Sequence, residues 1–247
     1  MADCSLDTDK PAALVTGGAK RIGEAIVTDL ARHGFDVAVH ASSSMRDAEA
    51  LAKALTASGP GRAAALQADL TSAKETGALV EAAAAALGRP IALLVNNASV
   101  FDDDTIDAID PGIWDTHFAL HARAPVMLGG AMAAALPQGQ HGLIVNMIDQ
   151  RVWKLTPRFF SYTLSKSTLW TATRTMAQAL APAIRVNAIG PGPTLKNPRQ
   201  SDADFDAQTD ALLLGHGPNL AEFGATIRYL WAARSVTGQM IALDGGQ

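Results

Sequence analysis

The chain has 247 residues, 48% of them hydrophobic, and a net charge of −4, which suits one sizeable α/β domain. No cluster of five or more Lys/Arg residues occurs; this argues against a nucleic-acid or anionic-membrane surface and leaves a small-molecule substrate as the expected partner. The single cysteine, Cys4, has no partner for an internal disulfide, consistent with a reducing compartment.

Met1 to Lys10 reads as a flexible polar tail without the basic start and apolar run of a secretory signal. No stretch of about 18 uninterrupted apolar residues follows, so a cytoplasmic protein is expected. Beyond the tail, short apolar runs alternate with longer amphipathic segments. Strands are predicted at Ala12 to Thr16, Asp36 to His40, Ala63 to Gln67, Ile91 to Asn96, Leu143 to Met147, Arg185 to Ile189 and Met240 to Leu243. Helices are predicted near Arg21 to His33, Asp47 to Ser58, Lys74 to Leu87, Ile113 to Ala135, Tyr162 to Leu180 and Leu220 to Ala232. The alternation predicts a single Rossmann-like α/β domain over residues 1–247, a doubly wound parallel seven-stranded sheet with helices on both faces. Its strands are apolar on both sides, as a covered parallel sheet requires. Residues 192–218, with Pro193, Pro198 and several aspartates around Phe205, break the pattern. They follow the sixth strand at the carboxyl edge, where open α/β sheets bind ligands, and form a candidate substrate-binding lid; the alternative is a surface insertion.

Directly after the first strand comes Thr16-Gly17-Gly18-Ala19-Lys20-Arg21-Ile22-Gly23, opening the first helix. Glycines there allow a tight turn and close approach of a pyrophosphate to the helix N-terminus. The middle glycine of the three-glycine fingerprint is replaced by Arg21. The second strand ends in His40-Ala41-Ser42-Ser43-Ser44 and lacks the acidic residue that would bind the ribose of NAD. With Lys20 and Arg21, the groups of His40, Ser42 and Ser43 suit a 2′-phosphate, which makes NADPH/NADP the expected cofactor. The alternative is a polar strand-to-helix loop with Ser44 as N-cap and two solvated cations.

These signals continue along the chain: Asp69-Leu70 after the third strand, Asn96-Asn97-Ala98-Ser99 after the fourth, Tyr162-x-x-x-Lys166, Pro191-Gly192, Thr237-Gly238 and Asp244-Gly245-Gly246. In this order and spacing they closely resemble the short-chain dehydrogenase/reductase family, almost end to end. Four residues apart on a helix, Tyr162 and Lys166 share a face, and a neighbouring ammonium is expected to lower the phenol pKa. The resemblance implies that Tyr162 handles the substrate proton, that Lys166 also holds the nicotinamide ribose, and that Asp69, Leu70, Asn97 and Ala98 line the adenine and ribose. It also implies a homotetramer, paired through the helices at Ile113 to Ala135 and Tyr162 to Leu180.

Two positions depart from the family pattern. Asp149 stands where the catalytic serine belongs, and His121, ahead of Pro125, stands where an asparagine is expected. With Lys20-Arg21 and Asn97-Ala98-Ser99-Val100-Phe101, Asp149 makes the chain resemble the pteridine reductase branch, including bacterial dihydrofolate and dihydromonapterin reductases. That resemblance implies a pterin-type substrate, with Phe101 against one face of it and Arg21 and Ser99 reaching both cofactor phosphate and pterin edge. Asp149, Tyr162 and Lys166 would then form the proton path. A reductase for another carbonyl or imine, or a catalytically weak NADP-binding sensor, remains open. The histidines show no metal-ligand pattern joined to an acid, and no metal is expected.

Overall fold

The computed structural model describes residues 10–196 and 200–247; Cys4 and Pro198 lie outside the described residues. Strands β1 (Ala12–Val15), β2 (Asp36–Ala41), β3 (Ala63–Gln67), β4 (Ile91–Asn96), β5 (Gly142–Met147), β6 (Ile184–Pro191) and β7 (Met240–Leu243) form one seven-stranded sheet. Its order is β3-β2-β1-β4-β5-β6-β7, with every pairing parallel. Helices α1 (Arg21–Arg32), α2 (Met45–Ser58), α3 (Ala73–Leu87), α4 (Pro111–Phe118), α5 (Ala124–Ala135), α6 (Phe160–Leu180), α7 (Asp202–Asp210) and α8 (Leu220–Ala232) complete the layers.

Alternation along each strand builds two cores. Ala13 and Val15 of β1 join Ile26, Val27, Leu30, Phe223 and Ile227 of α1 and α8; Ala12 and Leu14 join Leu79, Val80, Leu128 and Met132 of α3 and α5. Strand β4 keeps step through a bulge: Ala12 pairs with Ile91 but Ala13 pairs with Leu93, so Ala92 is the extra residue. That shift places Ile91 on the same face as Leu94, while Leu93 and Val95 face the opposite layer. The chain runs outward through β1, β2 and β3, then returns to place β4 beside β1. This reversal opens a crevice at the strands' carboxyl ends, the place for a nucleotide in such sheets.

The expected long helix from Ile113 to Ala135 is three pieces. Between α4 and α5 lies a π-helical turn, Ala119–Arg123. Pro125 has no N–H to give the carbonyl four residues back, at His121, and its ring crowds that carbonyl; the wider turn relieves the clash. The region expected to be irregular contains α7, capped by Ser201, whose hydroxyl accepts from the Asp204 N–H. A serine followed by acids in the first turn is a helix start signal, but α7 buries no residue and so lacks the apolar stripe that announces a helix.

Packing at two glycines gives opposite expectations. A Cβ on Gly23 would lie 2.1 Å from the Gly17 carbonyl oxygen and 2.7 Å from Asn97 Nδ2, so Gly23→Ala should cost about 3 kcal/mol by overpacking. Gly77, in α3, would meet only the Met127 methyl at 3.9 Å, and Gly77→Ala should stabilise by about 0.5–1 kcal/mol. Urea unfolding of both variants checks this; the reverse order would contradict the packing.

Candidate active site

The glycine turn is braced from beneath. Thr16 Oγ accepts from the N–H groups of Asn97 and Ala98 at 2.9 and 3.0 Å, and Asn97 Nδ2 donates to the carbonyls of Thr16 and Gly17 at 2.9 and 3.0 Å. Gly17 takes φ 61°, a conformation that favours glycine. Lys20, the N-cap of α1, gives no side-chain cap bond, and helix N-termini present free N–H groups to anions. With Lys20 and Arg21 exposed beside it, this donor set fits a pyrophosphate.

Arg21 also has φ 56°. A non-glycine residue there carries roughly 1–2 kcal/mol of strain. Its guanidinium reaches across to the Leu195 and Lys196 carbonyls at 3.3 and 3.4 Å, tying the turn to the start of the 192–218 segment. Lys20 pairs with Asp47 at 2.9 Å, both side chains more than half exposed, so the pair adds little stability. Ser42 and Ser43 lie exposed just past β2, and Arg46 lies exposed on the first turn of α2. Arg46 is a third cation on this rim that the sequence pattern did not single out.

His40 corrects an expectation. It is 2% exposed; its Nδ1 accepts from the Gly17 N–H at 3.1 Å and its Nε2 lies 3.0 Å from the Ala68 carbonyl. An acceptor at Nδ1 places the proton on Nε2. Burial lowers its pKa, against the Ala68 bond. His40 is thus a neutral bolt under the glycine turn, with no donor left for a 2′-phosphate. At the far rim, Asp69 accepts from the Thr71 N–H and hydroxyl at 2.8 and 2.7 Å, bonds that lower its pKa, and Leu70 is buried. Pro191 ends β6, and the Gly192 N–H donates to the Leu243 carbonyl at 2.8 Å.

At the other end the structure brings Asp149, Tyr162, Lys166, Ser99 and Phe101 together. Asp149 Oδ1 accepts from the Arg151 N–H at 2.8 Å and its Oδ2 accepts from the Tyr162 hydroxyl at 2.9 Å. Burial raises the Asp149 pKa, opposed by these two bonds and by Arg151 and Lys166. Lys166 is 2% exposed, with Nζ donating to the Met147 carbonyl at 2.8 Å and lying 5.6 Å from the centre of the Tyr162 ring. Burial lowers its pKa to about 8. The expected lowering of the phenol pKa is reversed: burial first, then the Asp149 charge and hydrogen bond, push Tyr162 well up, against Arg151 and a hydrogen bond from Ser99. Tyr162 is therefore held as a protonated acid.

Phe101 stacks on Phe159, centroids 4.0 Å apart at 13°, and meets Tyr162 edge-on at 4.7 Å. The Arg151 guanidinium lies 5.5 and 5.1 Å from the two phenyl centres. Phe159 escaped the sequence pattern because its place depends on φ 55° at the N-cap of α6. That bend is held from Asp103 and Asp104: Asp103 Oδ1 accepts from the Phe159 N–H at 3.3 Å, the Asp104 carbonyl from Phe160 at 3.1 Å and Asp104 Oδ1 from Ser161 at 3.0 Å. The acidic run thus caps α6 from another loop. His117 and His121, four residues apart, stack at 5.4 Å beside Tyr162, a pair the sequence pattern also left unassigned. Among the described residues no cluster of three or more His, Cys, Asp or Glu suited to a metal occurs.

A family model described as short chain dehydrogenase matches residues 11–205. The chain belongs to the short-chain dehydrogenase family. Within it, the crystal structure of FolM alternative dihydrofolate reductase 1 from Brucella canis, complexed with NADP, is 57% identical with a TM-score of 0.93, covering 96% of this chain and 93% of that one. Pteridine reductase 1 of Leishmania tarentolae is 32% identical, covering 96% of each chain. Dihydromonapterin reductase of Klebsiella pneumoniae subsp. pneumoniae is 30% identical, covering 95% of each.

Two measurements probe this geometry. Arg21→Gly should leave thermal stability unchanged or raise it, since about 1–2 kcal/mol of left-handed strain disappears, yet weaken NADPH binding; a clear fall in Tm would show that the Leu195 and Lys196 contacts outweigh the strain. Lys166 is charged in both states below about pH 8, where its burial penalty is full; that penalty fades as pH rises towards the ordinary lysine value of 10.5. Lys166→Met should therefore stabilise the cofactor-free protein at neutral pH, with the gain shrinking above about pH 8. A gain that grows with pH contradicts the assignment.

Proposed function

We propose that this protein is an NADPH-dependent reductase of a pterin-type substrate, a dihydropterin, dihydromonapterin or dihydrofolate. The observation that carries the reading is the hydrogen bond from Tyr162 to Asp149 at 2.9 Å, a carboxyl in the family's serine position beside the Phe101–Phe159 wall. The relatives reported above support the substrate class, and the NADP complexed with the Brucella canis enzyme supports the cofactor.

In this reading Gly17, Lys20, Arg21, Ile22 and Gly23 hold the pyrophosphate and the 2′-phosphate side, joined by Ser42 and Ser43. Asp69, Leu70, Asn97 and Ala98 line the adenosine half, and Lys166, Pro191 and Gly192 the nicotinamide half. NADPH, when bound, supplies the hydride that forms the new C–H bond. Tyr162 breaks its O–H bond and gives that proton to the ring nitrogen, as its raised pKa suits. Lys166 stabilises the negative charge left on the phenolate oxygen, and Asp149 orients the hydroxyl and accepts from the pterin's N–H groups. Phe101 offers the flat substrate an aromatic wall, while Ser99 and Arg21 meet its edge. Residues 192–218 act as the lid, latched by Arg21. We further infer a cytoplasmic homotetramer, which light scattering and cell fractionation test.

The test is NADPH oxidation by purified protein with dihydropterins, dihydrofolate and simple ketones. Turnover of the pterins is expected, with kcat lowered about 10²–10³-fold in Tyr162→Phe and NADPH affinity retained. Ketone reduction without pterin reduction would replace this reading by a general carbonyl reductase; cofactor binding without any turnover would leave a sensor.

A further inference from the structure

His121 replaces the family's asparagine, and its neighbours fix which ring nitrogen carries the proton. The ring is 1% exposed. The Val100 N–H points at Nε2 from 3.3 Å; an N–H only donates, so Nε2 keeps its lone pair. The ring proton is then on Nδ1, 2.9 Å from the Ser165 hydroxyl. Ser165 can accept it because its own proton goes to the Tyr162 carbonyl at 2.8 Å. Of the charged and titratable groups packed around the ring, Lys166 and His117 both disfavour an imidazolium and add to its burial. Asp104 and Asp102 act on His117 behind it.

The lone pair of Nε2 has one more neighbour, the Ser99 hydroxyl at 3.0 Å. Ser99 also lies close enough to the phenol to lower its pKa. A serine hydroxyl has a single proton and rotates freely, so it serves one acceptor at a time; the Val100 carbonyl, at 3.3 Å, is a more distant competitor than the imidazole. While Tyr162 is a phenol donating to Asp149, the imidazole is the better acceptor. Once the phenol has lost its proton, the phenolate is better, because bonds to charged oxygens are stronger.

We propose that His121 is a positioning residue: as the neutral Nδ1–H tautomer it accepts the Ser99 proton in the resting site and yields it to the Tyr162 phenolate during turnover. No proton crosses between Ser99 and His121. The one O–H bond that breaks belongs to Tyr162, its proton goes to the substrate nitrogen, and the phenolate is later reprotonated from water. The inference rests on the reading of Tyr162 as proton donor.

The ring proton is observed directly by ¹⁵N NMR of histidine-labelled protein, with the His121→Gln spectrum used for assignment. A neutral Nδ1–H signature for His121 is expected; an Nε2–H or imidazolium signature overturns the proposal without reference to activity. Kinetics supply the second arm. Glutamine places an acceptor near the Nε2 position and phenylalanine none, so His121→Gln should keep most of kcat, whereas His121→Phe and Ser99→Ala should each lose about tenfold. The double variant should lose no more than either alone, since His121 acts through Ser99. Losses that multiply to about a hundredfold, or a glutamine variant as slow as phenylalanine, sink the proposal. If His121→Phe does not fold, Ser165→Ala, which frees the tautomer, replaces it in the same cycle and must likewise add nothing to Ser99→Ala. Tyr162→Phe separates the two claims: full turnover there removes the proton-donor reading, while an inactive Tyr162→Phe with multiplicative losses at 99 and 121 removes only the role of His121.

Discussion

Thr16 gives its hydroxyl proton to the Val95 carbonyl at 3.3 Å while accepting from two N–H groups of the residues that follow β4. Strands β1 and β4 part company there, and the chain leaves them in opposite directions. Backbone groups at such a divergence lose their sheet partners, and unpaired buried groups are costly. One side-chain oxygen and the Asn97 amide satisfy the ends of both strands. They also set the distance between the glycine turn, which shapes the nucleotide end, and the Ser99–Phe101 segment, which shapes the substrate end. The rest of the site is spaced from this clasp.

On the substrate side the governing term is burial. Tyr162 and Lys166 are buried with Asp149 half-buried beside them, and each is pushed towards its neutral form. Mutual attraction offsets part of the cost, as expected for a buried ionic group whose partners are close. The site is therefore less stable than an apolar one of equal volume and better prepared for proton transfer. Function and stability oppose each other at these positions.

Much of this was legible in the sequence because it depends on local pattern. Apolar runs such as Leu93 to Val95 marked the strands, the Gly17 to Gly23 spacing marked the turn, and Tyr162 with Lys166 marked one helix face. What escaped depends on neighbours distant in the chain. His40 looked like a polar strand end, yet Gly17 and Ala68 enclose it. The phenol pKa was expected to follow Lys166, yet Asp149 and burial dominate. Phe159 is placed by Asp103 and Asp104, more than fifty residues earlier. The turn at His121 had a visible cause in Pro125, but its consequence for the helix appeared only when the three pieces were packed.

The His40 bolt has a consequence for the protein in acid. Its Nδ1 faces a backbone donor, the Gly17 N–H, so a second ring proton would set two donors against each other. The folded ring resists that proton, burial holding its pKa below the ordinary 6.5. Below that value the unfolded chain takes up a proton that the native chain refuses, and stability falls with pH. The Gly17 turn rests on this ring, and its amide exchange is expected to quicken in mild acid before that of the central strands. Mild acid would then loosen the nucleotide cleft from underneath, through a histidine that scarcely meets solvent.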